Sequence, residues 1–186
     1  MVRADKYITS KNLIEWNIEH NLGLTTQSVK RGALFLEAGQ RCEYFYFVLK
    51  GLVRIYYHDL NGNEITHWFS SKNSMITSPF SFLKKEENIL YFEALEETEL
   101  MLITSEQLNT IISRFKSIEK VFRNLYAEFA MVLSRRVISI QTETAEERYL
   151  KLMKEHPYLF QKAKLGHIAS YLGITPQSLS RIRKNL

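Results

Sequence analysis

Apolar and polar positions change pattern halfway along the chain. Between residues 26 and 103, short segments rich in Val, Ile, Phe and Tyr are separated by turn residues, which is typical of an antiparallel all-β unit. Asn61-Gly62 lies between two such segments and predicts a hairpin with a type I′ turn, which needs positive φ at both central residues. A helix is predicted before this unit, at about residues 11–21. The strands are therefore expected to form a closed or sandwich-like roll.

After Ser105 the turn residues disappear, and apolar residues recur in alternating steps of four and three. This pattern, sustained over three heptads, predicts a long helix with a coiled-coil-like seam. Two interpretations are open: the seam packs on the β-roll, or it packs against a parallel helix from a second chain, which we favour. The heptad seam consists of Ile111, Phe115, Ile118, Phe122, Leu125, Phe129 and Val132.

Residues 165–184 predict a helix-turn-helix. Gly173 suits the left-handed position that ends a first helix. Thr175 is a good N-cap and Pro176 suits the first position of a second helix. The alternative is a plain corner between two helices with a solvated polar face.

The second helix of this motif would expose residues that suit the major groove. Gln pairs with adenine and Arg with guanine through two hydrogen bonds each, whereas Ser and Lys can contact phosphates. For reading bases we select Gln177, Ser178 and Arg181. For phosphate contacts we select Lys162, Lys164, Ser180, Arg183 and Lys184.

The charge distribution favours nucleic acid as the partner. The 186 residues carry a formal net charge of +5. Residues 157–186 contain five basic and no acidic side chains, so residues 1–156 sum to zero. A wholly basic end suits phosphate contact.

Composition and motifs exclude several other classes of protein. The single Cys42 excludes an internal disulfide framework, and no apolar run is long enough to span a bilayer. The N-terminus lacks a signal core, so we expect a cytoplasmic protein without membrane contact. The five histidines are scattered and no Gly-rich phosphate loop or GxSxG turn occurs, so we expect no metal site and no enzyme. An acidic stretch at residues 93–99 is expected to be solvated.

The order of these parts resembles the Crp–Fnr superfamily of bacterial transcription regulators. The resemblance is carried by the paired-glycine strand pattern from Gly32 to Arg54 and by the motif from Ile168 to Arg181. It implies an α+β fold with a jelly-roll-like sensor domain at residues 1–104, a dimerisation helix at 105–141 and a DNA-binding domain at 142–186. The chain stops directly after the second helix of the helix-turn-helix, the recognition helix, so a terminal wing hairpin is expected to be absent.

The function that the resemblance implies is a homodimeric, sequence-specific regulator of transcription on double-stranded DNA. RNA polymerase is then a candidate partner. The competing class is a ligand- or protein-binding sensor module without specific DNA recognition.

The resemblance fails where nucleotide-binding relatives hold the cyclic phosphate. Those relatives carry a Phe-Gly-Glu segment followed by Arg and Ser or Thr, whereas this chain has no Gly-Glu pair and has Asn88-Ile89 near the Arg position. A phosphate buried without Arg would be uncompensated, which argues against cyclic AMP. Two alternatives are open for the residues of this region: they face an unknown apolar effector or an anion, or the aromatic ones fill the core. These residues are Phe80, Phe82, Lys84, Lys85 and Tyr91.

Overall fold

The computed structural model describes Ala4 and residues 7–185. Within these residues the strands are β1 Thr25–Val29, β2 Leu34–Leu36, β3 Tyr44–Lys50, β4 Leu52–His58, β5 Glu64–Ser71, β6 Met75–Ile76, β7 Tyr91–Ala94 and β8 Thr98–Thr104. The helices are α1 Ser10–Glu19, α2 Pro79–Lys84, α3 Ser105–Arg114, α4 Lys116–Thr142, α5 Ala145–Glu155, α6 Leu159–Lys162, α7 Leu165–Tyr171 and α8 Pro176–Asn185.

The strands form two four-stranded antiparallel sheets, in the orders β1-β8-β3-β6 and β2-β7-β4-β5. Side chains alternate across each strand, and the inward ones, such as Phe47, Val53 and Phe92, are fully buried between the sheets. The predicted mixture of helix and antiparallel β-roll is confirmed. This roll is followed by helices only, as far as the chain is described.

The β4–β5 hairpin is present, but its turn differs from the prediction. Gly62 has a φ of 80°, whereas Asn61 is not among the residues with positive φ, so the turn is not of type I′. The loop spans five residues, and the carboxylate of Asp59 accepts hydrogen bonds from the backbone N–H groups of Asn61 at 2.8 Å and Asn63 at 2.9 Å. A side-chain acceptor therefore orders the turn.

The predicted single helix at residues 105–141 is two helices. Phe115 interrupts them with an extended backbone, φ −128° and ψ 93°. Its ring lies 4.6 Å from the ring of Trp16 and 4.9 Å from that of His20, measured between centroids. No Gly or Pro marks this break; Phe115 packs there against Trp16 of α1 and against His20, the residue that follows α1.

The heptad seam contacts the β-roll of its own chain, which corrects the interpretation we favoured. Ile111, Phe122 and Leu125 are buried in the roll core, and the other four seam residues pack against that core. The outer face of α4 points away from the roll. Its exposed apolar side chains include Ala127, Ala130, Met131, Val137 and Ile138.

Candidate functional site

The first helix of the helix-turn-helix ends as its sequence predicts. Gly173 has a φ of 71° and donates its N–H to Ser170 O at 3.1 Å, while Ile174 N–H donates to Ala169 O at 3.0 Å. These two bonds form a Schellman motif, which satisfies the last carbonyls of α7. The angle between α7 and α8 is thus set by hydrogen bonds that a glycine makes accessible.

The second helix of the motif is capped at its start. Thr175 Oγ1 accepts the backbone N–H of Ser178 at 3.1 Å, and Pro176 occupies the first position of α8. Ile168, Leu172 and Leu179 are buried between the helices. The cap and the core together orient the opposite side of α8 to solvent.

The structure brings most of the selected DNA-contacting residues together on α8. Gln177, Ser180, Arg181, Arg183 and Lys184 are exposed there. Lys164 is also exposed, at the start of α7.

Two of the selected residues have partners inside the chain. The Ser178 hydroxyl lies 3.0 Å from Thr175 Oγ1, so it belongs in part to the cap. Lys162 Nζ lies 2.9 Å from Glu96 Oε2 on the roll. This half-exposed ion pair contributes little stability, but it must open before Lys162 can reach a phosphate.

The helix-turn-helix is docked on the outer surface of the β2-β7-β4-β5 sheet. Leu52, Phe69 and Leu95 of the roll are buried in one cluster with the core of the helix-turn-helix. Ser170 Oγ accepts the N–H of Thr66 at 2.8 Å and donates to Glu64 O at 3.1 Å. The packing of these two parts had no signal in the sequence, because the partners are about a hundred positions apart.

Arg54 lies under this docked surface and is only 1% exposed. Its Nη1 is 2.6 Å from Glu64 Oε2 and 3.2 Å from Glu93 Oε2, and its Nε donates to Thr66 Oγ1 at 3.0 Å. Burial alone would raise the pKa of Glu64, but the hydrogen bond and charge of Arg54 hold it below its usual value. The acidic stretch expected to be solvated therefore supplies one carboxylate to this cluster.

His167 of α7 faces the same cluster. Its Nδ1 is buried and has no hydrogen-bond partner among the described residues. Burial lowers the pKa of His167 to about 4, and the positive charge of Arg54 contributes to this shift. His167 is thus neutral at pH 7 in the docked arrangement.

Arg136 connects α4, the roll and the helix-turn-helix. Its Nη1 donates to His67 O, and its Nη2 donates to Tyr171 O at 3.1 Å. Its guanidinium carbon also lies 4.3 Å from the centroid of the Tyr171 ring, a cation–π distance. One side chain therefore spans three elements of the molecule.

A pocket of about 620 Å³ lies between the roll and α4. Its walls include Phe45, Ile55 and Trp68 from the sheets and Phe122 and Leu125 from α4. A molecule in it would contact both the β-roll and α4, the helix that leads towards the helix-turn-helix.

Of the five residues proposed from the sequence to face an effector, Phe80 alone lines this pocket. Phe82 is buried in the core beside Phe45, with 5.9 Å between ring centroids. Tyr91 points to the other side of its sheet, where it stacks on Tyr56 at 5.0 Å. Lys84 and Lys85 are exposed on and after α2 and do not line the pocket.

Asn88, near the position at which the resemblance implies a phosphate-binding Arg, has a structural role. It is 1% exposed, and its Nδ2 donates to Glu37 O at 2.8 Å and to Leu90 O at 2.6 Å. Its side chain holds two loop segments together and is not available to a ligand.

The part of the chain that the structure describes contains no group of three or more His, Cys, Asp or Glu that could hold a metal ion. Cys42 is buried, with its Sγ 3.3 Å from Tyr44 O. None of the helices among the described residues is long and apolar enough to cross a membrane.

Known proteins are similar to this chain at two levels, the sequence of the roll and the fold of most of the chain. Residues 26–115 match the model of the cyclic nucleotide-binding domain. No curated protein sequence matches the chain.

Several solved structures have the same fold. A putative transcriptional regulator of the Crp/Fnr family from Eubacterium rectale is 21% identical with a TM-score of 0.71, covering 91% of this chain and 84% of that one. FixK2 from Bradyrhizobium japonicum is 22% identical with a TM-score of 0.70, covering 88% and 84%. The c-di-GMP responsive global regulator CLP from Xanthomonas campestris is 14% identical with a TM-score of 0.71, covering 92% and 90%. The chain thus contains a domain of the cyclic nucleotide-binding type and has the fold of the Crp/Fnr transcription regulators.

Proposed function

We propose that this protein is a homodimeric, sequence-specific DNA-binding regulator of transcription whose β-roll senses a signal. The observation that carries the proposal is the capped, exposed α8, which presents Gln177 and Arg181 on a rigid helix-turn-helix. Similar structures described as transcriptional or global regulators support the same role.

The side chains on α8 suit both kinds of DNA contact. Gln177 and Arg181 are four residues apart and exposed, so they lie on one side of the helix and can reach neighbouring base edges. Arg183 and Lys184 are exposed near the end of α8 and suit phosphates.

The outer face of α4 is the surface that we assign to a second copy. Ala130 and Val137, and likewise Met131 and Ile138, are seven residues apart, which is the repeat of a coiled coil. Met131, Val137 and Ile138 are each at least half exposed, at 51%, 56% and 54%. Two copies joined here would present two recognition helices to half-sites about 34 Å apart.

Selection of binding sites from random duplex DNA tests the proposal. Enrichment of a near-palindromic site is the expected result. Failure to enrich any site at low salt would instead favour a sensor module without specific DNA recognition.

Two substitutions on α8 separate base reading from phosphate contact. Arg181→Ala should weaken binding to the selected site by about 1–3 kcal/mol and relax the preference at one base pair. Lys184→Ala should weaken binding to selected and random DNA alike and reduce the salt dependence. An equal loss on both kinds of DNA for Arg181→Ala would contradict its base-reading role.

A further inference from the structure

The pocket between the roll and α4 has the size of a small-molecule site. Its volume of about 620 Å³ lies within the range of about 300–1,000 Å³ that such sites occupy. Phe45, Ile55, Trp68, Phe122 and Leu125 are each less than 9% exposed, so the walls are formed by well-packed apolar side chains.

The lining offers no positive charge to an anion. None of the described residues around this pocket is Lys or Arg, and the charged ones are Glu86 and Glu87. Arg54 precedes the lining residue Ile55 on β4, but it points to the opposite face of the sheet and is paired with Glu64. A phosphate or carboxylate in the pocket would lose its hydration without gaining a cationic partner.

The carboxylates of Glu86 and Glu87 are exposed to solvent, and the interior does not favour a cation. His67 lines the pocket, and its pKa is lowered by burial and by the charge of Arg136. That nearby guanidinium would oppose a second positive charge. The neutral imidazole, together with the lining residues Tyr57 and Thr77, can instead hydrogen-bond an uncharged polar group.

We propose that this pocket binds an uncharged, predominantly apolar molecule and excludes cyclic nucleotides and other anions. The inference rests on the proposed function only in treating this molecule as the sensed signal. The route to the DNA-binding part is short: His67 lines the pocket, its carbonyl accepts a hydrogen bond from Arg136, and Arg136 also bonds Tyr171 of α7.

Displacement of a neutral fluorescent probe, N-phenyl-1-naphthylamine, tests the charge preference on the full-length protein without DNA. The competitors are 2-naphthylmethanol, 2-naphthoate and 2-naphthylmethylammonium, which share one ring system and differ in charge, and cyclic AMP. The alcohol should displace the probe at a concentration at least about tenfold lower than either ion or cyclic AMP, since burying an uncompensated charge is costly.

Two variants of α4 each add a lysine, one inside the pocket and one outside it. Leu133 lines it and is half-buried, whereas Met131 is exposed and is not among its lining residues. Leu133→Lys should shift the preference towards 2-naphthoate by about tenfold or more, because the ammonium would pair with the carboxylate. Met131→Lys, with the same added charge, should leave the order of competitors unchanged.

The wild-type series alone can overturn the inference, whatever the variants do to folding. Displacement by 2-naphthoate or cyclic AMP at the concentration of the alcohol or below would overturn it, and so would failure of the probe to bind. The ligand measurement uses no DNA and the site selection uses no ligand, so failure of one proposal is distinguishable from failure of the other.

Discussion

Gly51 shows how a single position constrains the roll. It lies between β3 and β4 with a φ of 105°, a region that favours glycine. A Cβ there would lie 2.3 Å from Thr98 Oγ1 and 2.7 Å from Thr98 Cα, so the neighbouring strand would have to move. The paired glycines of the sequence motif thus include one that is required by a close approach of two backbones.

Gly51→Ala is expected to destabilise the protein by about 3 kcal/mol or more, because it combines backbone strain with a steric clash. Gly62→Ala is the matched control: φ is 80°, but nothing lies within 4 Å of the added methyl group. This variant should lose only about 1–2 kcal/mol, the cost of a left-handed residue. Urea unfolding measures both losses, and equal values would show that the contact with Thr98 adds nothing.

Prediction at single residues succeeded where the cause is local. Gly173 and Thr175 were assigned their capping roles from neighbours within five positions, and the structure has both. Arg54 carried no such signal, because Glu93 is 39 positions away. For Phe82 and Tyr91 the sequence left two alternatives open, an effector site or the core, because the direction of each side chain depends on how α2 and β7 pack on the roll; neither residue lines the pocket, and Phe82 is buried in the core.

At the scale of elements, α4 illustrates how one apolar pattern can be buried in two ways. The heptad spacing is present, but it matches the surface of the roll instead of a second helix. Periodicity identifies which residues of a helix need burial. Which part of the protein covers these residues depends on the arrangement of strands that are distant in the sequence. The break at Phe115 escaped prediction for the same reason, since the rings packed against it belong to Trp16 and His20, which are distant in the sequence.

An acidic substitution on the outer face of α4 is expected to affect dimerisation, whereas one on the face that packs on the roll is expected to affect stability. Val137→Glu on the outer face should weaken dimerisation by about tenfold or more, because it buries a carboxylate between two copies, with little change in monomer unfolding. Phe122→Asp should lower the free energy of unfolding by about 3–5 kcal/mol, because Phe122 belongs to the roll core. Sedimentation measures the first effect and urea unfolding the second.

Glu119→Ala, at an exposed position of α4, serves as the control for both measurements. If Val137→Glu remained a dimer, the outer face of α4 would not be the contact between the two copies. Monomers of Phe122→Asp with unchanged stability would restore the heptad seam as the contact with a second chain.

At the scale of the whole molecule, the helix-turn-helix and the β-roll share a core. Leu52, Phe69 and Leu95 of the roll are buried with Ile168 and Leu179 of the helix-turn-helix. Arg136 reinforces this docking from α4 through two backbone carbonyls. A change in the pocket can therefore reach α7 through contacts that already exist.

Arg136→Met is expected to loosen the docking without unfolding either part. It leaves the carbonyls of His67 and Tyr171 without their guanidinium donor, whereas the apolar cluster between the two parts remains. Hydrogen exchange should therefore become about tenfold faster or more in α7, with the roll core unchanged. Arg135→Met, at the exposed neighbouring position, is the control, and equal protection of α7 in the two variants would show that Arg136 does not hold it.

Acid should weaken the same docking through His167. Its pKa in the folded protein is lowered to about 4 from 6.5, so the unfolded chain binds more protons between these values. The stability associated with neutral His167 is therefore complete above about pH 6.5 and is lost as the pH falls towards about 4. Three charged groups act on the imidazole: Arg54 and Lys164 favour its neutral form, and Glu64 favours its charged form.

His167→Gln removes the titration and keeps a polar side chain at this position. Urea unfolding of wild type between about pH 7.5 and about pH 5 should show a larger loss of stability than the variant shows over the same range. His67 also has a lowered pKa and remains in both proteins, so the difference between them isolates His167. If His167→Gln lost as much stability on acidification as wild type, the neutral imidazole at the docked surface would not be a source of that dependence.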